Sequence, residues 1–197
     1  MNKKLPLAFA ILALSCTVTA NASKESNLYL GAQYSAQELT LLPNRDFQTA
    51  GIIAGYQYNQ FFSLEARFNT GISGYSSHPF SENGFSDAEY KEDIDSQASL
   101  FLKASYPMFY SFNIYALAGM TQSKYEITTI SSFTDIEGIT TDTYPSLIKL
   151  SESGFSYGLG LNYQMTNSFI VFVDYKILPD LMGSSWKSAS FGASYSF

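Results

Sequence analysis

Charge is scarce in this sequence. Asp, Glu, Lys and Arg supply 14% of its 197 residues, where a soluble domain carries about a quarter, so a charge-covered soluble enzyme is a poor fit. Long apolar runs are missing too. Beyond the N-terminal segment no stretch approaches the ~18 apolar residues of a membrane-spanning helix, which excludes a helical membrane protein. One cysteine and one histidine give neither a disulfide framework nor a His/Cys cluster with metal-ligand spacing. No phosphate loop or nucleophile elbow appears either. What fills the composition instead is Phe (16), Tyr (15) and Gly (13) with many Ser and Thr. That is a strand-and-turn mixture, too aromatic for a disordered chain.

The N-terminus reads Met1-Asn2-Lys3-Lys4, an apolar stretch from Leu5 to Cys16, and Ala20-Asn21-Ala22 before Ser23. A basic start, a short apolar segment and a small-x-small site predict a secretory signal cleaved after Ala22. A membrane anchor would need a longer segment, and Ala13-Leu14-Ser15 is out of order for lipidation of Cys16. Residues 1–22 are therefore expected to leave, and 23–197 to form one domain without cysteine. Loss of Lys3 and Lys4 leaves 9 basic against 17 acidic residues, net −8, the wrong sign for a nucleic-acid partner.

From there the period is two. Leu28, Leu30, Ala32, Tyr34 and Ala36 interleave with Tyr29, Gly31, Gln33, Ser35 and Gln37. The same alternation runs through 51–58, 62–69, 99–106, 155–164, 171–176 and 188–197. Successive strand side chains point to opposite faces, so this pattern signals half-apolar strands. Around 113–126 both phases hold apolar residues. The reading adopted puts Tyr115, Leu117 and Gly119 on the apolar face, with Gln122, Lys124 and Glu126 opposite. Eight strands result.

Their connections alternate in length. Little more than Asn59-Gln60, Pro107 to Ser111 and Thr166 to Ser168 separates three strand pairs, whereas about 38–48, 71–95 and 127–152 separate three others, with 178–186 intermediate. Short turns thus gather at one end and long loops at the other, as in outer-membrane barrels. A soluble eight-stranded barrel would turn its charged face outward. Here the polar face is Gly, Ser, Asn and Gln with few charges, which suits a narrow packed interior. Aromatics also crowd the short-turn end: Tyr56, Tyr58, Phe61, Phe62, Tyr106, Phe109, Tyr110, Phe112, Tyr163, Phe169, Tyr195 and Phe197. Amphipathic rings collect at membrane interfaces. The expected fold is all-β, a closed antiparallel eight-stranded transmembrane β-barrel, because hydrocarbon tolerates no unpaired sheet edge.

Tyr195-Ser196-Phe197, behind Ala193, Phe191 and Ala189, resembles the terminal signal of outer-membrane barrels that the assembly machinery reads. Gly55-Tyr56-Gln57-Tyr58-Asn59 with Ser63-Leu64-Glu65-Ala66-Arg67, Tyr115-Ala116-Leu117-Ala118-Gly119 and Gly158 to Tyr163 resemble strands of small outer-membrane barrels of the OmpA, OmpX and Ail kind. The likeness covers residues 27–197. It implies an outer-membrane location, contact with outer-membrane lipid and lipopolysaccharide, the barrel-assembly machinery as a partner, and a monomer. It also implies Tyr195 and Phe197 as the assembly signal.

An eight-stranded barrel is just wide enough for side chains to fill. Inward charges at Glu65, Arg67, Lys103, Asp174 and Lys176, with Lys124 and Glu126 nearer the loops, must pair. They predict an ion-pair plug, with glycines at 51, 55, 158, 160 and 192 making room for long side chains. In the second loop Glu89, Glu92, Asp93 and Asp95 offer oxygens to a hard cation, although a charge run is more often a solvated face. Such an acidic loop departs from the basic loops of adhesin-like relatives. His78 with Ser77 and Glu82 nominally supplies the elements of a lipid A-modifying enzyme, but a loop histidine beside proline is a weak candidate; no catalytic role and no cofactor are expected. The Thr/Ile-rich stretch 127–152 predicts a hairpin whose edge can add a partner strand. The expected role is a structural or surface-interaction protein that meets host or cell-surface molecules through its loops. A small diffusion pore is the rival reading.

Overall fold

The structure, a computed structural model, describes residues 27–41, 43–77, 86–134, 140–142, 145–181 and 183–197, and of 86–88, 131–134 and 140–142 the backbone only. His78 and Glu82 lie outside the described residues. Ten strands follow one another: β1 (Leu28–Leu39), β2 (Arg45–Gln57), β3 (Phe62–Ser73), β4 (Tyr75–Ser77), β5 (Ser86–Phe109), β6 (Phe112–Thr134), β7 (Thr140–Asp142), β8 (Ser146–Gln164), β9 (Phe169–Leu181) and β10 (Ser184–Ser196). Among the described residues there is no helix.

Eight of these close a barrel. The ladder runs β5-β3-β2-β1-β10-β9-β8-β6, and β6 pairs back onto β5. Every barrel pairing is antiparallel, and β1 meets β10 from Tyr29 opposite Ser196 to Leu39 opposite Trp186. No backbone edge is left within the closed part, which is what a hydrocarbon surround demands. The short strands β4 and β7 lie outside the ring, on β5 and β6.

Burial alternates along each strand. Leu30, Ile52, Leu64, Phe68, Leu102, Leu159, Val173 and Phe191 are exposed on the outer wall, while their neighbours Tyr29, Ile53, Glu65, Arg67, Phe101, Asp174 and Ser190 are buried inside. All twelve aromatics of the short-turn end are exposed. Ring contacts link Phe109, Phe112 and Tyr163, the last two with centroids 4.7 Å apart, and the Tyr195 and Phe197 rings sit 5.3 Å apart. The turn between β5 and β6 is so tight that Tyr110 adopts φ +50°, a left-handed conformation uncommon for a bulky residue.

Two expectations are corrected. In β6 the phase is the reverse of that read from the sequence: Tyr115 and Leu117 are buried in the lumen, and Ile114, Ala116, Ala118 and Met120 face outward. Lys124 is consequently exposed, and Glu126 pairs with Lys149 on the outside. The run Ile-Tyr-Ala-Leu-Ala-Gly-Met is apolar in both phases. Packing decides between them, because Gly160 lies opposite Tyr115 in the register and leaves room for its ring. The connections at the long-strand end differ as well. β1 and β2 are joined through 40–44 and β9 and β10 through 182–183, the latter with Gly183 at φ +78°, so two of the four are tight. The second and third rise as sheet, through β5, β6 and β8.

Candidate functional site

The lumen is filled in layers, and the period-two alternation fixes each layer's contents. Glu65 and Arg67 stand on β3, Asp174 and Lys176 on β9, and Lys103 on β5. Although β3 and β9 are far apart in sequence, closure brings their carboxylates onto one guanidinium. Arg67 donates Nε to Glu65 at 2.5 Å and Nη1 to Asp174 at 2.7 Å. Lys176 donates to Asp174 at 2.5 Å and to Ser190 Oγ at 2.6 Å. Lys103 reaches Glu65 Oε2 at 3.3 Å. The five charges read from the sequence thus form one network.

Two tyrosines complete it. Tyr29 donates its hydroxyl to Glu65 at 2.7 Å, and Tyr115 donates to Asp174 at 3.0 Å. Their rings lie across glycines: a Cβ on Gly55 would fall 2.0 Å from Tyr29 Cζ, and one on Gly160 would fall 2.3 Å from Tyr115 Cζ. Each pair is directly opposite in the ladder, an arrangement in which the ring covers the glycine backbone. Tyr29, Tyr115, Ile53, Phe101, Leu117 and Phe172 form an apolar cluster around the charges. The interior is therefore not uniformly polar, as the sequence reading had it.

Above the charges lies a layer of carboxamides and hydroxyls. Gln33 accepts from Arg67 at 2.8 Å and donates to Asn69 at 2.6 Å. Gln37 donates to Gln97 at 3.2 Å, which donates to Ser123 at 2.9 Å. Buried polar groups so paired escape the desolvation cost of isolated ones. Higher still, Leu39, Phe47, Ile94, Tyr125, Leu178, Leu181 and Trp186 form an apolar cap across the long-strand end. Sequence reasoning missed this cap. Its signal is present in hindsight as large residues at inward parity where the tight connections begin.

The acidic run does not gather. Read as a loop, it is strand β5, and alternation separates its members. Glu92 is buried over the cap, accepting from Arg45 Nε at 3.1 Å and from the Tyr125 hydroxyl. Asp93 and Asp95 are exposed on the other face, and Glu89 pairs with Lys91 at 2.8 Å. Among the described residues no three His, Cys, Asp or Glu side chains stand together to hold a metal ion. Around Glu92 the Arg45 guanidinium also lies 3.9 Å over the Tyr75 ring. Burial opposes the charge of Arg45, but the Glu92 carboxylate outweighs it and raises that guanidinium above its ordinary value. Burial first, then Glu92, pushes the Tyr90 phenol up to about 12. Arginine, carboxylate and tyrosines thus clamp β4 and β5 to the barrel mouth.

Beyond that mouth β5, β6 and β8 continue as a sheet. A bulge at Asp95 marks where β5 leaves the ring, and β4 takes over from β3 as its neighbour. On the opposite side β8 parts from β9. Their ladder ends at Tyr157 opposite Ile177; in the continued register Phe155 would meet Pro179, which has no N–H to donate. β8 pairs with β6 up to Ser146 opposite Thr129, so from 146 to 155 its other edge has no strand beside it among the described residues.

The family model for the outer membrane protein beta-barrel domain matches residues 7–197. Among curated proteins none matches the sequence. Solved structures with similar folds include the attachment invasion locus protein Ail of Yersinia pestis (TM-score 0.54, 15% identity, 88% of this chain and 100% of that one). OprG from Pseudomonas aeruginosa aligns with TM-score 0.53 and 11% identity over 89% of this chain and 98% of that one. Neisserial surface protein A aligns with 0.51 and 14% over 89% and 100%. At such identities the likeness is one of fold. Closed ladder, apolar wall, aromatic girdle and matched family model agree: the chain is an outer-membrane β-barrel and belongs to the outer membrane protein beta-barrel domain family.

Proposed function

We propose that this barrel is a surface-interaction protein whose working part is the sheet of β5, β6 and β8 raised above the outer mouth, with the short turns toward the periplasm. The observation that carries this reading is the open edge of β8 over 146–155, a row of backbone N–H and C=O groups ready for strand addition. Leu147 and Ile148 are exposed beside it on alternate faces, so an added strand would find apolar contacts on both sides. The partner fitting this edge is a protein segment in extended conformation. Ail was solved with the heparin analogue sucrose octasulfate. Asp93, Asp95 and Glu126 stand with Lys124 and Lys149 on the outward face of this sheet and Glu152 is exposed on the other, so it offers a sulfated glycan no unopposed basic patch and a heparin-like partner is disfavoured. Asp93 and Asp95 would also need divalent cations to approach lipopolysaccharide phosphates.

Attachment of cells displaying the protein, to sister cells and to immobilised matrix proteins, tests the proposal. Proline at Ser151 and Ser153, whose N–H groups face away from β6 in the continued register, removes edge donors without entering the barrel, and attachment should fall while the heat-dependent shift in gel mobility persists. Unchanged attachment would overturn the role of the edge. A diffusion pore is opposed by the charged layer and the apolar cap, both of which lie across the lumen. A catalytic role has only His78 to rest on. Lipid A acylation should be the same in a His78→Ala strain, and an altered pattern would bring the enzyme reading back.

A further inference from the structure

Below the charged layer the lumen opens toward the short turns as a cup of about 640 Å³, within the range of small-molecule sites. Carboxamides dominate its wall, among them Asn27, Gln57, Asn59, Asn113, Asn162 and Gln164. Each such group offers both donors and acceptors. Asn113 donates to Asn162 Oδ1 at 2.8 Å, which leaves the Asn162 amide hydrogens and the Asn113 carbonyl for the cup. Lys103 is the one charged side chain among the lining residues.

The balance of charge in the lumen gives that lysine a particular character. Buried or half-buried in the lumen, among the described residues, are the cations Arg45, Arg67, Lys103 and Lys176 and the carboxylates Glu65, Glu92 and Asp174. One positive charge is in excess inside a chain whose overall charge is −6. Arg45 is matched by Glu92 above the cap. Arg67 spans both lower carboxylates, and Lys176 holds Asp174 at 2.5 Å. Lys103 has only the 3.3 Å contact to Glu65, a carboxylate already accepting from Arg67 and Tyr29. Its Nζ lies 4.2 Å from the Tyr115 ring centroid, which occupies a second direction of the ammonium. The Tyr29 and Phe172 rings lie farther off, 5.8 and 6.0 Å from Nζ, and at the cup the lysine side chain is 12% exposed. The excess charge therefore sits at the cup floor, and an unmatched charge between low-dielectric walls favours an incoming anion.

We propose that the periplasm-facing cup binds a small hydroxyl-rich carboxylate of the sugar-acid class. Its carboxylate would sit on Lys103 Nζ and its hydroxyls against the carboxamide wall. The site is independent of the outer sheet, at the other end of the barrel, and can fail without affecting that reading.

Titration of the folded protein in detergent micelles, by calorimetry and by amide chemical shifts, tests it with glucuronate as probe and glucose and acetate as controls. Saturable glucuronate binding is expected, with shifts confined to residues of the short-turn end. Lys103→Met keeps the stem's bulk and leaves Glu65 paired with Arg67 and Tyr29, so the barrel should fold and show its heat-dependent gel shift. Binding should weaken by about tenfold or more, as for a lost charge-assisted hydrogen bond. Asn162→Leu, which spares Lys103, should also weaken glucuronate, whereas glucose and acetate should each bind far less well than the sugar acid. Absence of saturable glucuronate binding would overturn the proposal, as would equal affinity in Lys103→Met. Acetate binding as tightly as glucuronate would equally overturn it, because the wall would then contribute nothing.

Discussion

Arg67 is the side chain on which the lumen turns. It is buried, and it bonds one carboxylate from its own strand and another from β9. Removing one partner of a buried ion pair leaves the other uncompensated, at a cost of about 3–5 kcal/mol. Arg67→Met should therefore lower the urea midpoint of unfolding strongly, and more than Lys103→Met, because Lys103 makes only the long contact to Glu65. Equal effects would mean that the network does not hold the barrel. Gly160 gives a steric counterpart: Gly160→Ala should destabilise by about 1–3 kcal/mol through overpacking, and Tyr115→Leu should relieve most of that loss in the double variant. The five inward charges were legible in the sequence because each sits at the polar parity of a clear strand. Tyr29 and Tyr115 were not read as partners of those carboxylates. A tyrosine on the small-residue face says nothing of which glycine it will cover until the cross-strand register is known.

At the scale of elements, β6 shows where alternation alone stops being informative. Both parities of 114–120 are apolar, so the phase rests on what the lumen must hold. A charge tests it directly: Ala118→Arg places a cation in hydrocarbon and should cost about 2–4 kcal/mol of folding stability in lipid, whereas the opposite phase would point that arginine into the lumen. The tight connections 40–44 and 182–183 were hidden for a related reason. Inward Leu39, Phe47, Leu178, Leu181 and Trp186 continue the strands as cap, while outward neighbours such as Glu38, Asp46, Gln48 and Lys187 are polar and read as loop. The acidic run misled similarly, since Glu92 and Asp93 are adjacent in sequence yet face opposite sides. Pro179 fixes how far β8 stays in the ring. Hydrogen exchange should find amides of 147–155 less protected than those of 157–163, and Pro179→Val should extend protection toward Phe155; an unchanged boundary would assign the parting to something other than the missing N–H.

For the whole molecule, closure joins the two ends of the described chain, β1 to β10, and makes the lumen a stack: an open cup, a charged layer, a carboxamide layer and an apolar cap. The fold class was legible because composition, alternation and the asymmetry of connections agree. The stack was not, because it depends on the stagger between strands. On the function proposed above, the barrel seals the membrane and leaves its work to its two ends. Single-channel recording in a planar lipid bilayer tests this most directly. Folded wild-type protein should give a baseline indistinguishable from bare lipid across the voltage range, and reproducible ion-selective steps would contradict the account.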